Sequence, residues 1–201
     1  MPIPSVEQFF ALARSSPWRW STLRFRVTWR GRMHTSAAGF RREPVRAWVA
    51  RPDALRIETH DGRVLIAGRR PESPDLPPLM VENLTEVDHH GRPVWEAVVR
   101  PTDTYDPRCA CCALLFGAKS EAIVADLGGP TLSDRDPSVR YADAVRVRVD
   151  SQTGVCVLTE EIGGSAPGSG HELVIEAVDE QLPDELFRPS PHSRWLLRKR
   201  R

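Results

Sequence analysis

Lysine is nearly missing from this chain: among its 28 basic residues, all but Lys119 and Lys199 are arginine. That bias reads as the codon usage of a GC-rich genome, not as chemistry. An excess of one charge is missing too. Against 27 acidic residues the formal net charge is +1, which exerts no global pull toward nucleic acid or an acidic membrane. No run approaches the ~20 apolar residues that cross a bilayer. The N-terminus lacks the basic start, the apolar run and the small-residue cleavage site of a secretory signal. These absences lead us to expect a cytoplasmic protein with no transmembrane segment and no nucleic-acid partner. Cysteine is scarce, and three of the four crowd into Cys109, Cys111 and Cys112, unlike a secreted disulfide framework. Also missing are a Walker loop, G-x-S-x-G, G-x-G-x-x-G and H-E-x-x-H.

What is present is mostly strand. Ser5 to Arg14 alone opens as a helix: Val6, Phe9, Phe10 and Ala13 make an apolar stripe, and Ser5 with Gln8 offers a capping box. Leu23, Phe25, Val27 and Trp29 then alternate with Arg24, Arg26, Thr28 and Arg30, the period of a strand with one arginine-rich face. We place the apolar set on the core side. Val45 to Arg51 is a second apolar run. Leu55 and Ile57 alternate with Arg56 and Glu58, and Asp61-Gly62 turns the chain into Arg63 to Ala67, giving four strands in meander order. Pro71 to Pro78 holds four of the 18 prolines and reads as a loop. Val81 to Asp88 and Pro93 to Arg100 flank a hairpin signal at His89-His90-Gly91. Val145, Val147 and Val149 alternate with Arg146, Arg148 and Asp150. After a turn at 150–154, Val155 to Glu161 returns, and Leu173, Ile175 and Ala177 form a last strand. Leu182 to Phe187 fits one helical turn. The pattern predicts a mainly β, α+β fold with one curved antiparallel sheet of about seven to ten strands.

We read residues 1–189 as one β-rich domain and 190–201 as a basic tail. Residues 102–141 are an elaboration that carries the cysteines and, from Leu114 to Val124, weak helical character.

Several phrases resemble the lipoprotein-carrier (LolA-like) superfamily: LRFRVTWRG at 23–31, VRAWVARPDALRIETHDGRVLI at 45–66, GRPVWEAVVRP at 91–101, VRVRVDSQTGVCVLTEE at 145–161 and LPDELFRP at 182–189. The YDPRCACC run at 105–112 is similar to one in proteins of GC-rich bacteria, to which no activity attaches. The superfamily resemblance implies a half-open β-barrel whose concave side is plugged by helices. It implies an apolar or lipid-like ligand, or a protein partner, held on the sheet. None of these phrases is a catalytic signature.

Two sets of residues are candidates for chemistry. An aromatic-lined ligand face would use Phe25, Val27, Trp29, Trp48 and Trp95, residues that equally fill an ordinary core. Cys109, Cys111 and Cys112 are the local concentration of soft ligands. Zinc takes about four donors, and Cys156, His89, His90 or His34 could complete the set. The same thiols could instead be redox-active, or only pack. His89-His90 could be a metal or proton-transfer pair, or simply the polar tip of a hairpin. The preferred reading is a non-enzymatic binding domain. The alternatives are a metal- or thiol-dependent enzyme or zinc-stabilised module at the cysteines, and an interaction module without a ligand.

Overall fold

The computed structural model describes residues 4–31, 44–62, 64–69, 78–107 and 115–188, with the backbone alone at 65–69. Cys109, Cys111 and Cys112, His34, most of the proline loop and the basic tail lie outside the described residues.

Helix α1 is Val6–Ser15, closed at its start by the expected box: the Ser5 side chain accepts from Gln8 N and the Gln8 side chain accepts from Ser5 N. Its buried stripe differs from the sequence reading. Phe9 and Leu12 are buried while Val6 is 42% exposed, because the helix meets the sheet along the i, i+3 line of Phe9 and Leu12 and Val6 falls off its end.

Among the described residues nine strands follow: β1 Thr22–Arg30, β2 Val45–Ala50, β3 Ala54–Thr59, β4 Val64–Arg69, β5 Leu79–His89, β6 Arg92–Pro101, β7 Ala144–Asp150, β8 Cys156–Ile162 and β9 Gly170–Val178. They form one antiparallel sheet in the order β4-β3-β2-β1-β9-β8-β7-β6-β5. The sheet is therefore open, with β4 and β5 at its edges. Each half is a meander, and the halves join where the first strand pairs with the last. Between β6 and β7 lie α2, Ala118–Asp126, and the short α3, Leu132–Arg135. One 3-10 turn, Ser16–Trp18, continues α1, and another, Asp184–Phe187, follows β9 and touches β3. The sequence expectation of a mainly antiparallel β fold holds. No described helix is long and apolar enough to cross a membrane.

Register defines the two faces, since residues opposite each other in a ladder share one. Ala97, Val147, Thr159, His171 and Trp29 stand in one row across β6, β7, β8, β9 and β1. This is the apolar face. On it Phe9 and Leu12 of α1 pack with Ala97, Val99, Val145, Val147 and Val149, together with Tyr105 and Leu115. The next row, Glu96, Arg148, Leu158, Glu172 and Thr28, belongs to the charged face. Leu23, Phe25, Val27 and Trp29 accordingly share the apolar face with Val45, Ala47 and Val49 of β2 and with Leu55 and Ile57 of β3.

Candidate functional site

Two regions bring functional side chains together. The first is the apolar face of the β1–β3 arm. Leu23, Val27, Val45 and Ala47 are buried, whereas Phe25, Trp29, Leu55 and Ile57 are half-buried. Val145, Val147 and Val149, in the same face of β7, are all sealed. Of the five pocket candidates, Phe25, Val27 and Trp29 therefore line one surface. Trp48 stands opposite Arg24 and Arg56 and lies on the charged face. Trp95 stands opposite Val149 and packs beside the α1 cluster, at the far side of the sheet.

Charges on the other side of the arm hold the strands in register. Glu176 receives Arg26 at 2.7 Å, Arg46 at 3.0 Å and Arg24 at 3.5 Å, and Glu180 takes Arg24 at 3.1 Å. Arg56 pairs with Glu58 and donates to the Leu186 carbonyl at 2.8 Å, tying the second 3-10 turn to β3. The arginine-rich face that the sequence shows is thus one side of an ion-pair lattice.

The second region is the tip of the β5–β6 hairpin. His90 and Gly91 form a two-residue loop, both with positive φ, 54° and 79°. This is the type I′ geometry that matches the strand twist. The Asp88 carboxylate accepts from Gly91 N at 3.0 Å. The tip folds back across the sheet to β9. In a flat sheet β5 and β9, four spacings apart, would stand ~19 Å from one another. Instead His89 Nε2 lies 3.0 Å from the Leu173 carbonyl and His90 Nε2 lies 2.9 Å from Glu172 Oε1. The sheet therefore bends toward its charged face here. The contact falls just beyond Leu158–Glu172, where the β8–β9 pairing ends.

A carbonyl only accepts, so His89 Nε2 carries the ring proton. Nδ1 is then bare, and Arg148 Nη1 stands 3.3 Å from it. Arg148 is itself neutralised by Glu96 at 2.7 Å. Burial, ahead of the neighbouring His90 and Arg148, pushes the His89 imidazole below its ordinary value despite the Leu173 bond. The bond from His90, ahead of the Arg30 charge, holds the Glu172 carboxyl low. The two histidine rings meet edge to face, centroids 4.6 Å apart.

The hairpin signal at 89–91 was legible in the sequence, but the third member, Glu172, was not. It lies more than eighty residues away, and no local pattern marks it. Two further groups, buried Glu121 and half-buried Cys156, are structural. Glu121 caps α3 by accepting from Leu132 N and from Ser133 N and Oγ, and burial together with its bond to Glu121 pushes Tyr141 up to about 12. Cys156 is not in a disulfide and its thiol is pushed up to about 11 by burial, which makes it a poor nucleophile. No family model matches the chain, and no curated protein matches it.

Proposed function

We propose that the chain is a non-enzymatic binding domain of the lipoprotein-carrier type. It holds an apolar, lipid-like ligand or the apolar side of a protein segment against the inner face of β1–β3. The observation that supports this reading is the contrast along one face of a single sheet. Under α1 Ala97, Val99, Val145, Val147 and Val149 are buried, while along the arm Trp29, Leu55 and Ile57 keep part of their surface open and Phe25, also partly open, packs on Val94, Val157 and Leu173. Fully burying one large exposed apolar side chain is worth ~1.5–3 kcal/mol; these four are already partly buried, so each adds a fraction of that to the binding of an apolar ligand. The fold class agrees with the family that the strand phrases resemble. The experiment is native mass spectrometry of the purified protein, followed by titration with a long-chain fatty acid read by tryptophan fluorescence. We expect a bound acyl species, and loss of binding in Ile57→Arg with an unchanged circular dichroism spectrum. Equal binding by wild type and Ile57→Arg would remove the arm from the ligand site.

A further inference from the structure

His89 and His90 are neighbours in sequence, and neighbours in a strand point to opposite faces. Here they do not. His89 ends β5 and His90 sits in the left-handed region at φ 54°, so the two rings come together, 4.6 Å between centroids. A type I′ loop favours Asn, Asp or Gly at that position, and His also tolerates the left-handed region. Glu172 of β9 completes the group, and one donor atom from each of the three lies within 4.8 Å of the others.

We propose that His89, His90 and Glu172 form a binding site for a divalent transition-metal ion of the zinc class, with a coordination position left open to water. Two imidazoles and one carboxylate are a donor set that zinc accepts, at about 2.0–2.2 Å per bond. A tetrahedral ion sets such donors about 3.4 Å apart. The His90 Nε2 to Glu172 Oε1 distance of 2.9 Å is therefore close to what is needed, with the ion replacing the proton the pair now shares. His89 offers either ring nitrogen: Nε2 is hydrogen-bonded to the Leu173 carbonyl and Nδ1 faces Arg148 Nη1, so coordination would replace one of these two contacts. Two cations face the site. Where Nδ1 coordinates, Arg148 gives up its 3.3 Å contact to it and keeps Glu96. Arg30 Nη2 stands 3.9 Å from Glu172 Oε2 with its Nε and Nη2 atoms buried, and it would have to move away from the ion. The ion would bridge β5 and β9, strands that no ladder joins.

The test is titration of the full chain with zinc by calorimetry and with cobalt(II) by visible absorption. Three variants accompany it. His90→Asn keeps a residue suited to the left-handed turn and removes the imidazole. Glu172→Gln keeps shape and removes the charge. A triple variant carrying Cys109→Ser, Cys111→Ser and Cys112→Ser removes the competing thiols. We expect the triple variant to bind one zinc as wild type does, and its cobalt complex to show no thiolate-to-metal charge transfer. We expect His90→Asn and Glu172→Gln, made on the triple variant, to weaken binding more than about tenfold, which even loss of an outer partner reaches, with circular dichroism unchanged. Zinc bound only through the cysteines, zinc bound equally by His90→Asn and Glu172→Gln, or no binding by any form, overturns the proposal and leaves the group as a strand clasp.

Discussion

At Asp150 a carboxylate with no exposed side-chain surface accepts from Arg92 Nε at 2.7 Å and Nη2 at 3.1 Å, and from Thr153 N and Oγ1, both at 2.8 Å. Burial pushes its carboxyl up, and the bonds from Arg92 and Thr153 outweigh that, leaving it below the ordinary aspartate value. The unfolded chain consequently takes the proton first. The stability Asp150 contributes is whole above about pH 4 and is lost as pH falls toward the folded-state value. Removing one partner of a buried pair costs ~3–5 kcal/mol. Arg92 keeps 25% of its side-chain surface in water, which places Asp150→Asn at the lower end. Thermal midpoints measured from pH 7 to pH 3 should put the variant well below wild type at neutral pH and nearer to it in acid. Parallel curves would take Asp150 out of the acid response. Cys156 offers a second check at this scale. With its thiol at about 11, it should resist alkylation at pH 8 in the folded protein and react once urea unfolds it, as mass spectrometry of the labelled peptide can read.

At the scale of elements, α1 is fastened to the sheet at two places, its apolar stripe and the β7–β8 turn. Phe9→Ala should cost ~3–5 kcal/mol by urea denaturation. Phe25→Ala, half-buried on the open arm, should cost clearly less, and Val6→Ala should fall within ~0.5 kcal/mol. An equal loss at Phe9 and Phe25 would mean that the arm is as tightly filled as the α1 cluster. Gly154 of the turn has φ 70°, and a Cβ there would stand 2.5 Å from the Leu12 carbonyl oxygen and 3.0 Å from Ser16 Cβ. Gly154→Ala should therefore displace the end of α1 and lower the thermal midpoint, where Gly91→Ala, with the same backbone strain but open space, should cost less. These elements differ in how far the sequence disclosed them. The Ser5–Gln8 box, the alternation from Leu23 to Trp29 and the turns at Asp61-Gly62 and His90-Gly91 are local, and local patterns carry them. The box at Thr131 and Asp134 that starts α3 is local as well, but with Asp in place of Glu or Gln it escapes the usual template. The separation of Trp48 from Trp29, the cap from Glu121 and the meeting of the hairpin tip with Glu172 depend on register and on curvature. Neither is written in any window of neighbouring residues.

For the whole molecule the decisive ladder is β1 against β9. It runs from Leu23 opposite Val178 to Arg30 opposite Gly170, and it joins the β1–β4 meander to the β5–β9 meander. Strands so distant in the chain pay their loop-closure entropy before any pairing repays it. On a ribosome, the first meander is complete long before the second is. The first can form its hairpins while the second is still being made, yet β1 waits, with its inner ladder open, until β9 emerges after the other eight strands. A chain stalled after Ile162 should thus hold two half-sheets with unsatisfied inner edges, exposed to the pairing errors that such edges invite. Release of the remaining strand, β9, would let it pair with both β8 and β1 in one late step.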